Sequence, residues 1–305
     1  MAITVNAALK RDVLLRTAMR AFRNRILPIL AFANKFQDEP LQGTNIITVP
    51  YISLASGAST DFVAGTGYTT VNNQTLGVKQ VTVNKRKYRM VQFTSDDWNR
   101  QPLLKQEELI AVEAEKLADD VLADVWSLVT AANYAGTTLA AMAATAFDVD
   151  DALQLRRLCN EANWPTAGRS LVLDSTFAEY LLRDSRAQSV LTAGQVGAVT
   201  EGKLPMIAGF QPYEVPLVPA NGSEKIAGFA ALPSAILFAS APIQPHPTLT
   251  RTLVDYTRVT DPDYGITLEY RAFGDAVKDQ VNETIEVNYG YAVGEGAALK
   301  RITIP

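Results

Sequence analysis

The chain has one histidine and one cysteine in 305 residues. A three-histidine zinc site is therefore impossible, and no Cys-His cluster exists. Cys159 has no second thiol to join, so an internal disulfide framework is excluded. Such a chain folds comfortably in a reducing compartment. Ser-His-Asp catalysis would have to use His246, which stands between Pro245 and Pro247 in a rigid, extended setting. No Gly-x-Ser-x-Gly elbow accompanies it. His246 is read as structural or solvated. Cys159 shares a helix face with Leu155, Leu158 and Ala162 and is expected to pack as a small hydrophobe.

Long hydrophobic runs are missing too. Residues 127–147 carry Asn133, Tyr134, Gly136, Thr137 and Thr138, too polar for a membrane span. Residues 226–243 are broken by Pro233 and Pro242 and are expected to form a strand, a turn and a short buried helix at 233–239. The N-terminus is Arg-rich and acid-poor, like a transit peptide, but has no serine-rich bias and no apolar core of a secretory signal; it is expected to be mature sequence. The stretch Gly197-Ala-Val-Thr-Glu-Gly-Lys203 approaches a phosphate-loop pattern. Leu204 stands where the Mg²⁺ ligand Ser or Thr belongs, and Pro205 has no N–H to offer a phosphate. A nucleotide-binding enzyme built on Gly197 to Lys203 is thus a remote alternative. Asp96-Asp97 and Asp150-Asp151 precede helices and read as capping acids, with Asp148 as an N-cap.

What is present is ordinary globular composition, 48% hydrophobic and 20% charged, with a net charge of −4 that argues against nucleic-acid binding by the chain as a whole. The informative part is residues 44–100. Strand-like runs at 45–52 and 78–94 flank a polar tip, 55–77, rich in Gly, Thr, Ser and Asn. Alternation through Val81, Val83, Arg89, Met90, Val91, Gln92 and Phe93 predicts a long two-stranded ribbon. Two strands alone are marginal in water, so the ribbon is expected to pack on another copy of the protein. After it, Pro102, Glu107 and Glu108 mark a helix start. The helix is expected to run to about 133 with an apolar stripe of Ile110, Ala114, Leu117, Val121, Val125 and Leu128, and to be roughly 45 Å long. A polar-capped helix (148–163), a strand-plus-helix unit (170–183) and two strand-rich segments (264–273 and 284–291) follow.

This order resembles the major capsid protein of tailed bacteriophages, the HK97-like fold that encapsulin shells also use. The resemblance covers nearly the whole chain. It is carried by the helical basic stretch 9–26, the hairpin loop 44–94, the long helix 103–133, and Arg169-Ser-Leu-Val-Leu-Asp-Ser-Thr-Phe-Ala-Glu-Tyr-Leu. Met206-Ile-Ala-Gly-Phe-Gln-Pro-Tyr, Tyr264-Gly-Ile-Thr-Leu-Glu-Tyr-Arg-Ala-Phe-Gly and Val287-Asn-Tyr-Gly-Tyr-Ala-Val continue it. The resemblance implies an α+β fold with an N-terminal arm (1–40), an extended loop (41–95), a peripheral domain with a spine helix (96–146 and 246–283) and an axial domain (147–245 and 284–305). Pro242, Pro245 and Pro247 mark a crossing point independently.

It further implies a structural role without catalysis or cofactor: pentamers and hexamers closing an icosahedral shell around double-stranded DNA, in the virion, after assembly in the bacterial cytoplasm. A scaffolding protein, a portal and decoration proteins are the implied partners, and no membrane is. An encapsulin-type shell around a cargo protein is the alternative. Some family members join a loop Lys to an Asn of a neighbour with a buried Glu assisting. Here Lys79, Lys85 and Lys87 and the pair Asn282-Glu283 are candidates, but they do not align with that arrangement residue by residue.

Charge is unevenly spread. Residues 1–35 carry seven Lys or Arg and one Asp, and the second ribbon strand adds Lys79, Lys85, Arg86, Lys87 and Arg89. The spine is acidic: Glu107, Glu108, Glu113, Glu115, Asp119, Asp120 and Asp124 face only Lys105 and Lys116. Three readings fit: solvated faces, electrostatic complementarity between arm or ribbon and a neighbour's spine, or DNA contact by the basic arm. The second makes Lys85, Arg86, Lys87, Arg89, Glu115, Asp119, Asp120 and Asp124 the expected intersubunit contacts.

Overall fold

In the computed structural model the described residues are 7–31, 33–37, 45–52, 61–66, 76–94, 96–97, 104–185, 206–216, 218, 224–243, 245–246, 255–263, 265–275 and 277–305. The ribbon tip outside 61–66 and 76–77, and the glycine-rich loop at 197–203, lie outside them.

Two helices form the first layer. α1 (Ala7–Ile26) buries Leu14, Leu15, Ala18, Met19, Phe22 and Ile26, a stripe with helical spacing. That stripe lies against α2 (Leu104–Trp126), which buries Ile110, Ala114, Leu117, Val121 and Val125, the expected face. The basic helix expected in an arm is therefore part of the core. α2 has 23 residues, roughly 35 Å, and ends in turns after Trp126 rather than at 133. Leu128, expected in the stripe, is only half-buried in that turn.

Beneath the helices is a six-stranded sheet. Its order is β1 (Ala33–Gln37), β8 (Ile236–Ser240), β11 (Gln280–Val293), β10 (Thr267–Asp275) and β9 (Asp255–Thr260), and β4 (Lys85–Thr94) also pairs with β11. β11 has 14 residues, long enough to carry β10 and β8 in tandem along one edge while β4 runs along the other; Tyr289 pairs with Ser240 of β8 on one side and Lys85 of β4 on the other. The expected buried helix at 233–239 is instead a turn leading into β8. A short, wholly apolar run does not distinguish a buried strand from a helix by periodicity, and here flanking strands supply its ladder.

A four-stranded sheet, ordered β12 (Leu299–Ile304), β7 (Lys225–Ala231), β5 (Ser170–Asp174) and β6 (Gln211–Val215), forms the second sheet. α3 (Val149–Glu161) and α4 (Ser175–Arg183) accompany it. Asp148 caps α3 by accepting from the N–H groups of Asp150 and Asp151, and the Asp151 carboxylate accepts from the Asp148 N–H. Sheet membership divides the chain differently from the expected boundaries at 245/246 and 283/284. β8 joins the larger sheet, as does the whole of β11, and only β12 returns to the smaller one.

The ribbon is β2 (Ile46–Ile52) paired antiparallel with β3 (Leu76–Thr82). The expected single strand 78–94 is two strands, because the chain changes partner at Val83 and Asn84: β3 stays with β2, while β4 leaves for β11.

Candidate assembly surface: the ribbon and the spine helix

The root of the ribbon sits on its own chain. Val49, Val81 and Val83 are buried against Leu237 of β8 and Ala239 beside it. The Val83 N–H donates to the Asn45 carbonyl at 2.7 Å and closes the hairpin's base. Lys79 Nζ donates to the carbonyls of Val293 (2.9 Å) and Gly294 (2.5 Å), just past the end of the β11 ladder. The expectation that the ribbon must find its packing on another copy therefore fails for its root. Farther out, Ile46 and Val78 are exposed, as are Phe62 and Val63 at 62% and 58%.

β4 alternates faces, and its two faces do different things. Lys87 and Arg89 face the spine helix. Lys87 Nζ lies 2.9 Å from Asp124 Oδ1 and also donates to the Asp120 carbonyl at 2.8 Å. Arg89 Nη2 donates to Asp120 Oδ2 at 2.8 Å, with Glu113 at 3.9 Å from Nη1. From α1, Arg25 Nε meets Asp119 Oδ1 at 2.6 Å, and the hydrogen bond to Asp119 holds the guanidinium pKa above its usual value. Tyr289 of β11 donates to Asp124 Oδ2 at 2.7 Å; burial, then this carboxylate, pushes its phenol pKa far up. Ribbon strand and spine thus meet as the charge pattern suggests, but within one protomer. Asp119, Asp120 and Lys116 also line an open cleft of about 600 Å³ with Trp126 and Tyr213.

The other face of β4 carries Arg86 into a buried polar network that the sequence reading missed. Glu269 and Glu286 are directly opposite each other on β10 and β11, a disfavoured arrangement for like charges. Arg271 bridges them, with Nη2 at 3.0 Å from Glu269 Oε2 and Nε paired to Glu286 Oε1. Arg86 adds a second cation, its Nη2 at 2.6 Å from Glu286 Oε2. Glu269 further accepts from the Ile243 N–H (2.7 Å), Asn288 Nδ2 (3.1 Å) and Tyr256 OH (3.2 Å). Burial still raises the Glu269 pKa, helped by the nearby Glu286. Burial, then Glu269, pushes Tyr256 up to about 12. The available signal was alternation: Glu269 and Arg271, like Glu286 and Asn288, are polar residues spaced by two between apolar Leu268, Tyr270 and Ala272 and apolar Ile285, Val287 and Tyr289.

Of the eight expected contact residues, Arg86, Lys87, Arg89, Asp119, Asp120 and Asp124 have partners inside the protomer. Lys85 and Glu115 are exposed. On the spine, Leu109 and Val112 also face outward, at 44% and 61% exposure. Cys159 is buried, and burial pushes its thiol up to about 11, too high for a ready nucleophile. His246 is exposed. Among the described residues no group of His, Cys, Asp and Glu is arranged to hold a metal, and no helix is long and apolar enough to cross a membrane.

No family model and no curated protein matches the sequence. Solved structures do. The chain is similar to one in the capsid structure of the cyanophage P-SCSP1u, with a TM-score of 0.57 and 13% identity over 90% of this chain and 86% of that one. The fold is that of phage capsid chains. A chain from the capsid of Ralstonia phage GP4 matches at TM-score 0.54 and 13% identity, covering 89% of this chain and 86% of that one. A chain from Mycobacterium phage Che8 matches at 0.52 and 18%, covering 85% and 84%. The α+β, HK97-like arrangement implied by the sequence resemblance is therefore present, with ribbon, spine helix and two sheets in one chain.

Proposed function

We propose that this chain is the major capsid protein of a tailed bacteriophage, a structural subunit that assembles into pentamers and hexamers of an icosahedral shell around double-stranded DNA. The observation that carries the reading is the likeness to capsid chains across about nine-tenths of the molecule. The surface supports it. A ribbon with exposed Ile46, Phe62, Val63 and Val78 projects from a folded body, and the spine helix leaves Leu109 and Val112 uncovered. Apolar surface on both elements is a reason for copies to associate. Lys85 and Glu115 are the charged residues best placed to contact a neighbour. The six internally paired charges would contribute through whatever field their pairs leave over.

In this reading the six-stranded sheet and spine helix form the peripheral domain, and the four-stranded sheet with α3 and α4 forms the axial domain. The role is structural rather than enzymatic. Scaffolding, portal and decoration proteins are proposed partners, assembly is in the host cytoplasm, and the mature location is the virion. The solved structures named above lend the encapsulin-type alternative no specific support. Electron microscopy of the expressed protein tests the reading: closed, regular shells are expected, and only soluble small oligomers at every salt and protein concentration would defeat it. Particles from infected cells should contain DNA; protein cargo would favour the encapsulin-type shell.

A further inference from the structure

The ribbon root crosses the large sheet at a glycine. A Cβ on Gly290 of β11 would come within 2.2 Å of the Thr82 carbonyl oxygen and 2.9 Å of Val83 Cα, so the crossing can be this close only with glycine there. One step along, Lys79 on β3 reaches the carbonyls of Val293 and Gly294. Those carbonyls belong to a segment that is itself held. The Gly294 N–H donates to the Ala235 carbonyl at 2.9 Å, and the Glu295 N–H donates to the Ser234 carbonyl at 3.0 Å. Strand-end carbonyls need donors once the ladder stops, and an ammonium supplies several in one group.

The apolar contact at the root is small: Val49, Val81 and Val83 against Leu237 and Ala239, with Ile47 and Ala292 beside them. Apolar contact is non-directional and holds the root down without fixing its angle. The hydrogen bonds of Lys79 are directional and lie beside the Gly290 crossing. We infer that Lys79 is a positioning residue: its ammonium, seated on the Val293 and Gly294 carbonyls, sets the angle at which the ribbon leaves the body. Resting on the capsid reading, the further consequence is that this angle sets where the ribbon meets the next subunit, and hence the curvature of the shell.

The test uses spin labels on Val63→Cys in the ribbon and Val277→Cys in the 95%-exposed turn between β10 and β11. Labelled subunits are diluted with unlabelled ones, and a single-label control checks that buried Cys159 stays unmodified. The unaltered Lys79 protein should give one narrow distance distribution. Lys79→Met keeps the stem and removes the donors; it should broaden and shift the distribution while the circular dichroism spectrum is retained. Lys79→Arg should restore a narrow one. An unchanged distribution in Lys79→Met would overturn the inference, and so would loss of its folded spectrum, which would make Lys79 a residue of the fold instead. In parallel, electron microscopy should show uniform particles for wild type and a spread of diameters or open sheets for Lys79→Met. Absence of particles from wild type would defeat the capsid reading, while the label distances would still decide the role of Lys79. Uniform wild-type diameters from Lys79→Met would overturn the link to curvature.

Discussion

Lys87 Nζ and Asp124 Oδ1 lie 2.9 Å apart inside a single protomer. With Arg89–Asp120 and Arg25–Asp119, this pair fastens the strand leaving the ribbon, and the C-terminal half of α1, to the spine helix. The charges that look like an intersubunit code are in large part the tie between layers of one subunit.

Charge reversal of 85–87 should therefore act on the subunit before it acts on assembly. Arg86→Met leaves the buried Glu286 with Arg271 as its remaining cation and should cost about 1–3 kcal/mol, the range for stranding a buried acceptor. Lys85→Met, at an exposed position, should change stability by close to nothing. Urea denaturation of the two variants checks this, and equal midpoints would show that Arg86 carries no structural load. Lys87→Glu should be partly rescued by Asp124→Lys in the same chain.

Val121 and Val112 lie on the same helix with opposite surroundings, one fully buried against α1 and the other 61% exposed. Val121→Asp should abolish soluble protein, because an unpaired carboxylate would enter the core. Val112→Asp should fold normally and slow shell formation. Soluble, assembly-competent Val121→Asp protein would contradict the packing of α1 on α2.

The Glu269 network makes a pH-dependent prediction. Burial raises the Glu269 pKa above the ordinary 4.5, so the folded state holds a proton there more tightly than the unfolded chain. The sign follows: the contribution of this group to stability is full below about 4.5 and is lost as pH rises through the raised value. Glu269→Gln has no such proton to lose. Its stability relative to wild type should therefore improve from pH 4 towards neutrality. Denaturation midpoints of both proteins across that range measure it; a difference that is flat or moves the other way would mean that Arg271 and the N–H donors outweigh burial.

Covalent joining of subunits is not expected. Residues 53–75 contain no lysine. Lys79 and Lys87 are engaged with carbonyls and with Asp124, and Lys85 is exposed, without the burial that would strip its ammonium of water and make it a nucleophile. Purified particles boiled in detergent should run as one band at the 33.1 kDa monomer. A ladder of multiples would show that a lysine reaches a neighbour after all.

The sequence made the long elements legible wherever the pattern was local. The α2 stripe from Ile110 to Val125 and the Asp148 cap depend on neighbours within a few residues, and both are found. It was silent where the answer depended on distant partners. Nothing near Ile236 says that β8 will find a ladder on β1 and β11, so its apolar run reads as helix equally well. Nor does anything near Val83 say that the chain will change partners there. The charge complementarity of ribbon and spine could be read; the chain to which each charge belongs could not, since Coulomb attraction carries no record of connectivity. Glu269, Glu286 and Arg271 look like ordinary polar alternation until the register sets the two acids opposite each other.

The pairing of β4 with β11 also bears on how the molecule is made. β4 contacts a partner 200 residues farther along the chain, as in Arg86 with Glu286. At translation rates of about 5–20 residues per second, β4 emerges on the order of ten seconds or more before that partner exists. Throughout that interval β4 lacks its partner, and the pairs β1–β8 and β9–β10 cannot be joined into one sheet until β11 is made. Distant pairings of this kind make for slow folding and expose strand edges meanwhile. In the nascent chain, the four cations Lys85, Arg86, Lys87 and Arg89 discourage premature pairing of β4 with other strands, as charged side chains do on exposed edges.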